Sequence, residues 1–290
     1  MPLRTSILGT IISILIGILI TLGVSQNSID FYGVPLLIVC FVYSYIIHWI
    51  FFVHGYLFQT EHYFDAIGSF TFVSLSFFLI FTVQDFYAFL ICSLVAIWSL
   101  RLGSFLFNRV KKTGRDTRFT EMKKNFFWFF LTWNLSALWV YLSYVAGMVA
   151  VTSKHSSELT IVEYTFCFFG FLVWLVGFII EVASDNQKKK FKEDISNKDK
   201  FISHGLWAWS RHPNYFGEIL LWIGITIIAI PIFKNWDYLA LISPIFIYYL
   251  LVNISGIPML EKAADKKWGN NEDYISYKDK TNILFLKKPD

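Results

Sequence analysis

Residues 205–218 read GLWAWSRHPNYFGE, and they place cationic, imidazole, amide, phenol and carboxylate groups immediately before an apolar run. Pro213 disfavours helix at the residue before it and suits the first turn of a helix, so the pattern predicts a helix that begins here. Asn214 and Tyr215 would lie at the start of that helix, with Glu218 one turn further in. An unpaired charge in hydrocarbon costs several kcal/mol. Each residue alone fits a helix cap with an interfacial aromatic belt, whereas the whole set indicates a binding site.

The composition is typical of a polytopic membrane protein. Of the 290 residues, 56% are hydrophobic and 20% aromatic, and the mean hydropathy is +0.53, which is too apolar for an ordinary soluble chain. Crossing a hydrocarbon core takes roughly 20 helical residues. Runs of that kind lie near 7–24, 34–53, 67–83, 86–103, 126–151, 161–183, 216–233 and 237–254. We therefore predict an all-α fold, a transmembrane bundle of seven or eight membrane helices that forms one domain over residues 1–290.

The basic residues are unevenly distributed. Of the 25 Lys and Arg residues, 22 lie in the stretches 101–124, 184–212 and 255–290. Basic stretches favour the cytoplasmic side of a membrane, so eight spans would place both termini in the cytoplasm. A purely topological role would explain part of this pattern, but it leaves the carboxylates, amides and aromatics at the same helix ends unexplained.

The three cysteines indicate neither a metal site nor a disulfide framework. Cys40, Cys92 and Cys167 lie within apolar runs and far apart in the sequence. They lack the paired spacing of zinc ligands or of a disulfide-stabilised scaffold. We interpret them as small core residues and predict no metal site.

Polar groups also occur at the ends of other runs. Residues 61–65 read EHYFD before the third run, and Arg101 and Arg109 lie at and beyond the end of the fourth. Glu181 and Asp185 share one helical face at the end of the sixth run. Two carboxylates there oppose the helix dipole, so lysines or a ligand must compensate. Residues 61–65 could equally form a solvated loop, and Arg101 could simply extend its side chain to the membrane interface.

The motif at 205–218 resembles the signature of the steroid 5-alpha-reductase C-terminal-like family, a domain of unknown function numbered 1295. Further elements match that family in the same order, and the resemblance covers roughly residues 55–286, with residues 1–54 less diagnostic. Related motifs occur in membrane sterol reductases and in isoprenylcysteine carboxyl methyltransferases. The matching elements are Asp65, Trp98-x-x-Arg101-Leu102-Gly103, Asp116-x-Arg118, Glu181-x-x-x-Asp185-x-Gln187-Lys188, Pro258-x-Leu260-Glu261 and Tyr274-x-x-Tyr277.

The resemblance implies a helical bundle that holds NADPH at its cytoplasmic end and admits a lipophilic substrate from the bilayer. Phosphate groups need cations, and carboxylates and amides suit ribose hydroxyls and the nicotinamide amide. Carried over by position, the predicted cofactor pocket comprises Arg101, Arg109, Glu181, Asp185, Lys192, Arg211, His212, Asn214, Tyr215, Glu218, Glu261 and Tyr274.

The implied reaction is hydride transfer from NADPH to an activated carbon–carbon double bond of a steroid, enone or other lipid. A hydrogen-bond donor must then stand near the substrate carbonyl oxygen. Steroid reductases use a Glu and a Tyr from early helices, but Trp98 occupies the matching Tyr position here. Its indole donates a hydrogen bond without readily delivering a proton. We therefore predict that Asp65, Glu61 or Tyr63 supplies the donor.

Two other functions fit the same residues. An S-adenosylmethionine-dependent methyltransferase of the isoprenylcysteine type would use the same pocket, although its cofactor has no phosphate to pair with Arg101, Arg109 and Arg211. A non-catalytic lipid-binding protein would keep the fold without the chemistry, which the polar residues at 185, 214 and 218 disfavour. In each case we expect a lipophilic small molecule and membrane lipids as partners, and no nucleic acid.

Overall fold

The structure, a computed structural model, describes residues 2–113, 119–155 and 158–288. Within these ranges the chain is almost entirely helical, which confirms the all-α prediction. One short antiparallel pair, Asp30–Phe31 (β1) with Val34–Pro35 (β2), connects the first two helices. The α-helices are Leu3–Val24 (α1), Leu36–Leu57 (α2), Phe64–Val83 (α3), Phe86–Thr113 (α4), Phe126–Thr152 (α5), Ile161–Glu193 (α6), Pro213–Ala229 (α7), Ile242–Tyr249 (α8), Ile257–Trp268 (α9) and Glu272–Lys280 (α10).

Eight helical stretches in the described residues are long and apolar enough to cross a membrane, as the apolar runs predict. The eighth stretch, Asn235–Trp268, is less regular than expected. It combines a 3₁₀ segment, Asn235–Leu241, with α8, a π-helical turn at Leu250–Ile254 and α9. Pro244 lies in the first turn of α8, where its missing N–H is tolerated, and this favours a helix that begins close before it.

The sixth helix is longer than its apolar run. The run predicted an end near residue 183, yet α6 continues for ten more residues to Glu193. Asp185 and Lys189 are spaced to pair along the helix, and Lys190 and Lys192 in the last turn complement the helix dipole. The polar end of α6 is therefore a helical extension of the span rather than a loop.

Residue contacts group the chain into two compact units. Unit 1 comprises Met1–Tyr164 and Ala229–Ser243, and unit 2 comprises Thr165–Ile228 and Pro244–Asp290. The single-domain organisation stays a prediction.

Unit 1 is built around α5, the most buried of its long helices. A cluster of Phe52, Ile67, Phe119, Phe129 and Trp133 joins α2, α3 and α5 near the start of α3. The cluster fixes where α3 begins and therefore where its polar residues lie. Cys40, Cys92 and Cys167 are buried, which agrees with their interpretation as core residues.

Unit 2 depends on a close crossing of α6 and α7. A Cβ atom at Gly217 would lie 2.6 Å from the carbonyl oxygen of Gly177 and 2.7 Å from the backbone nitrogen of Glu181. Gly170 and Gly224 make a second such contact one heptad away, where a Cβ at Gly170 would lie 2.7 Å from the Gly224 oxygen. Only glycine lets two helix backbones approach this closely. The crossing holds Glu181 against the first turns of α7.

Candidate functional site

The residues before α7 are anchored on the polar end of α6. Gly205 has φ +63 and packs against the side chain of Gln187, where a Cβ would meet the amide at 2.6 Å. The Leu206 backbone N–H donates to Gln187 Oε1 at 2.9 Å. The Trp207 indole donates to the Ser184 carbonyl at 3.0 Å, and Lys188 Nζ lies 4.1 Å from the Trp207 ring centroid. The loop is thus fixed before α7 begins.

Arg211 is a central connector of unit 2. Its Nε and Nη2 donate to the two carboxylate oxygens of Glu261 at 3.3 and 3.0 Å. Its Nη1 donates to the carbonyl oxygens of Lys278 and Thr281 at 2.7 and 3.1 Å, and its backbone N–H donates to Asn282 at 2.8 Å. Arg211 therefore ties the start of α7 to α9 and to the end of α10. Its charge already has a carboxylate partner inside the protein.

His212 is buried and bonded on one side only. Its Nε2 lies 2.9 Å from Glu261 Oε1, and its ring stacks on Tyr215 with centroids 5.7 Å apart. Within the described chain, nothing bonds to its buried Nδ1. Burial lowers the pKa of His212, and Glu261 only partly offsets this. The imidazole is consequently neutral near pH 7.

Asn214 adds a second buried acceptor. Its Oδ1 is shielded from solvent, and no described residue donates to it. Buried acceptors normally have partners, because leaving one unpaired costs about 1–3 kcal/mol. Two such atoms lie within three residues at the start of one helix. The start of α7 therefore carries two buried acceptors that no described residue satisfies.

Three buried carboxylates lie on the same two helices. Glu181 and Asp185 near the end of α6 are 2% and 6% exposed, and Glu218 in α7 is 8% exposed. Acidic side chains are almost never buried to this extent unless they are paired. These carboxylates make unit 2 rich in hydrogen-bond acceptors.

Lys192 and Tyr274 are the remaining predicted residues of unit 2. Lys192 is exposed at the end of α6. Tyr274 is buried and donates from its hydroxyl to Asp265 at 3.2 Å, and Lys278 Nζ lies 2.6 Å from the same carboxylate. Burial, followed by the charges of Glu261 and Asp265, raises the pKa of Tyr274 to about 12. Tyr274 is therefore a neutral phenol that links α9 and α10.

In unit 1 the predicted donors surround the start of α3. Glu61 is buried, and its Oε2 accepts from Lys123 Nζ at 2.6 Å. Tyr63 is 45% exposed, with its ring near those of His54 and His62. Asp65 lies in the first turn of α3.

The fourth helix carries the other predicted residues of unit 1. Trp98 is fully buried, and its ring lies 5.3 Å from that of Phe72. The Arg101 guanidinium lies 5.5 Å from the Phe105 ring. The Arg109 side chain and the predicted Asp116–Arg118 element lie outside the described residues.

Sequence reasoning missed two features of this arrangement. The first is the glycine crossing, for which a signal existed, since Gly170 and Gly177 in α6 and Gly217 and Gly224 in α7 each recur at seven residues. The second is Lys123 as the partner of Glu61, and no local pattern indicates an ion pair between residues so far apart in the sequence.

A model of the family described as protein of unknown function (DUF1295) matches residues 51–281, which is most of the chain.

The probable O-methyltransferase ustE of Ustilaginoidea virens is 29% identical over 101 residues, 32% of this chain and 35% of that protein. The 3-oxo-5-alpha-steroid 4-dehydrogenase 1 proteins of Mus musculus and Rattus norvegicus are each 34% identical over 62 residues, 21% of this chain and 24% of those proteins. The chain thus spans between about a quarter and a third of the length of these curated relatives. No solved structure matches. The family resemblance seen in the motifs is confirmed.

Proposed function

Because the chain belongs to the family described as protein of unknown function (DUF1295), we propose that it is a membrane oxidoreductase. In this proposal it transfers hydride from NADPH to an activated carbon–carbon double bond of a lipophilic substrate. The similarity to 3-oxo-5-alpha-steroid 4-dehydrogenase 1 supports this class of reaction. The observation that carries a nucleotide site is the pair of unpartnered buried acceptors, His212 Nδ1 and Asn214 Oδ1.

The residues of unit 2 fit the donor groups of NADPH. Its carboxamide and ribose hydroxyls donate hydrogen bonds, which His212, Asn214 and the buried carboxylates Asp185 and Glu218 accept. Tyr215 presents an aromatic face beside His212. These side chains hold and orient the nucleotide at the start of α7.

The cations proposed to bind the phosphates of NADPH are more widely spaced in the sequence than the acceptors proposed to bind its carboxamide and ribose. Lys192 is exposed at the end of α6 and is the phosphate contact that we propose in unit 2. Arg211 directs its guanidinium to Glu261 and to backbone carbonyls, so we propose that it shapes the pocket and contributes to its potential. The assignment of Arg101 and Arg109 in α4 to the cofactor stays a prediction from the sequence.

NADPH, when bound, supplies the hydride. The task of the chain is to place a hydrogen-bond donor at the substrate carbonyl and to exclude water. Tyr63 and Asp65 are the donors that we favour, because the Glu61 carboxylate already accepts from Lys123. The Tyr63 side chain is open to solvent, and Asp65 lies in the first turn of α3. A donor at this point stabilises the charge that develops on the carbonyl oxygen.

The distribution of Lys and Arg supports a cytoplasmic location for the polar ends and for both termini. NADPH is a cytoplasmic reductant, so a site on that side would have direct access to it. The lipophilic substrate and the membrane lipids stay proposed partners.

Thermal stability of the detergent-solubilised protein tests the cofactor. NADPH at a hundred times its Kd should raise the free energy of unfolding by about 2.7 kcal/mol. NADH at the same concentration should give a smaller shift, because it lacks the 2′-phosphate. Stabilisation by S-adenosylmethionine alone would overturn the proposal.

A methyltransferase is the second candidate, since the match to ustE covers a larger share of this chain than the matches to the dehydrogenases. S-adenosylmethionine carries an ammonium group that suits an acceptor-rich site, and it needs no free arginine. Stabilisation by neither cofactor would favour a non-catalytic lipid-binding protein.

A further inference from the structure

We infer that Glu261 is a positioning residue, which holds the His212 imidazole as the Nε2–H tautomer and thereby makes Nδ1 an acceptor for an N–H or O–H group of the ligand. This inference rests on the proposed nucleotide site and deepens it. It assigns Glu261 an indirect role rather than contact with the ligand.

The contacts of Glu261 fix the direction of the hydrogen bond. A charged carboxylate only accepts, so the imidazole nitrogen 2.9 Å from Oε1 must carry the hydrogen. Arg211 contacts both carboxylate oxygens, and Lys278 Nζ lies 3.7 Å from Oε2. These two cations keep Glu261 ionised.

The environment of His212 disfavours a second proton. Burial lowers its pKa, and the positive charges of Lys188 and Arg211 act in the same direction, while Glu261 opposes them. A neutral imidazole with its hydrogen on Nε2 has a lone pair on Nδ1. That lone pair is the buried atom to which no described residue bonds.

The neighbouring orphan atom defines the class of ligand group. Asn214 Oδ1 is also an acceptor that no described residue satisfies. Two acceptors at one helix start suit a group with two N–H bonds, such as a primary carboxamide or an amine. Phosphate oxygens are largely deprotonated at neutral pH and act mainly as acceptors. The start of α7 therefore recognises the amide or amino end of the ligand, although helix starts commonly bind anions.

Two substitutions of His212 separate its two nitrogens. His212→Asn keeps an acceptor near the Nδ1 position and loses the bond to Glu261. His212→Gln keeps a donor near the Nε2 position and loses the buried acceptor. With NADPH as the probe, we expect His212→Gln to bind at least tenfold more weakly while melting no lower than the wild type without ligand. We expect His212→Asn to melt at a lower temperature and to keep its affinity within about threefold. The reverse order of affinities would overturn the inference.

A second measurement needs no ligand. In protein labelled with ¹⁵N-histidine, the resonances lost in His212→Gln identify His212, and the wild type should show a protonated Nε2 and an unprotonated Nδ1. Glu261→Gln should shift this pattern toward protonated Nδ1, because a glutamine amide can also donate.

A protonated Nδ1 in the wild type, or an unchanged pattern in Glu261→Gln, would contradict the role of Glu261. If neither NADPH nor S-adenosylmethionine stabilises the wild type, the proposed function fails, and the tautomer measurement still decides this point.

Discussion

The starts of α3 and α7 are both polar, but they satisfy their polar groups differently. Before α3, Glu61 is buried and accepts a 2.6 Å hydrogen bond from Lys123. At α7, His212 Nδ1 and Asn214 Oδ1 are buried without partners in the described chain. The described residues from 58 to 83 contain no such orphan side-chain atom, and the orphan atom of the adjoining cluster, Trp133 Nε1, is an N–H donor rather than an acceptor.

This difference separates an internally neutralised cluster from one that is incomplete. A paired buried charge stabilises the fold by avoiding the cost of isolation. A buried acceptor without a partner reduces stability, and a ligand that donates to it regains the loss. The start of α7 is therefore the better candidate for ligand binding, although both segments contain similar residue types.

The strongest test of the α7 region removes Arg211. Arg211→Ala should lower the free energy of unfolding by about 3 kcal/mol, because it leaves Glu261 and two carbonyls without their donor. Urea unfolding followed by tryptophan fluorescence would measure the loss.

The matched control is Lys267→Ala. Lys267 pairs with Asp199 at 2.9 Å, but the two side chains are 49% and 72% exposed. Its removal should leave the free energy of unfolding nearly unchanged, because water screens an exposed ion pair. Equal losses in the two variants would show that Arg211 is not a structural connector.

The next largest effect concerns the crossing of α6 and α7. Gly217→Ala should cost about 2 kcal/mol, because the new methyl group would meet backbone atoms of Gly177 and Glu181 that have no room to move. In unit 1, Gly9→Ala should be nearly neutral, since its nearest neighbour is the flexible Leu131 side chain. Melting temperatures of the two variants test this, and a harmless Gly217→Ala would mean that the crossing does not position Glu181.

A smaller effect is expected at the start of α3. Lys123→Ala should cost about 1.5 kcal/mol, because the buried Glu61 carboxylate loses its cation. The neighbouring Lys124→Ala provides a control, since Lys124 and its partner Glu121 are both exposed. Chemical unfolding of both variants would show the difference. If Lys123→Ala unfolds like Lys124→Ala, the claim that this cluster is stabilised by internal pairing is wrong.

The smallest effect is the pH dependence of a third polar pair, His155 with Asp85, whose Nε2 and Oδ2 atoms are 3.0 Å apart. The hydrogen bond to Asp85 raises the pKa of His155 above 6.5. The folded state then binds the proton more tightly than the unfolded state, so the pair stabilises below about pH 6.5 and loses this contribution as the pH rises through the raised pKa.

Comparing wild type with His155→Gln across this range isolates the contribution. The stability difference should be largest at low pH and shrink with rising pH. A difference that grows with pH would contradict the pairing. Glu163 also raises the pKa of His155. Substituting Glu163 should therefore slightly lower the pH at which the pair stops stabilising the fold.

Local patterns predicted the long elements of this fold. The apolar runs gave the spans because their length matches the bilayer, and Pro213 marked the start of α7 because its ring suits a first helical turn. The helical face shared by Glu181 and Asp185 predicts helix beyond the apolar run, and α6 continues to Glu193.

The pairing of charges could not be predicted from sequence. Arg211 and Glu261 were both assigned to a cofactor pocket by position, but they are 50 residues apart and bind each other. Residue type shows that a cation is present and not which anion neutralises it. Only the tertiary structure shows which anion neutralises a given cation. This knowledge separates residues that connect helices from residues that are open to a ligand.

The most direct test of the central claim compares NADPH binding by Asn214→Ala with binding by Glu61→Gln. No described residue bonds to the Asn214 side chain oxygen, so Asn214→Ala should melt no lower than the wild type without ligand. Its NADPH affinity should fall at least tenfold, about 1.4 kcal/mol, whereas Glu61→Gln should bind NADPH as the wild type does. Unchanged NADPH affinity in Asn214→Ala would contradict the account.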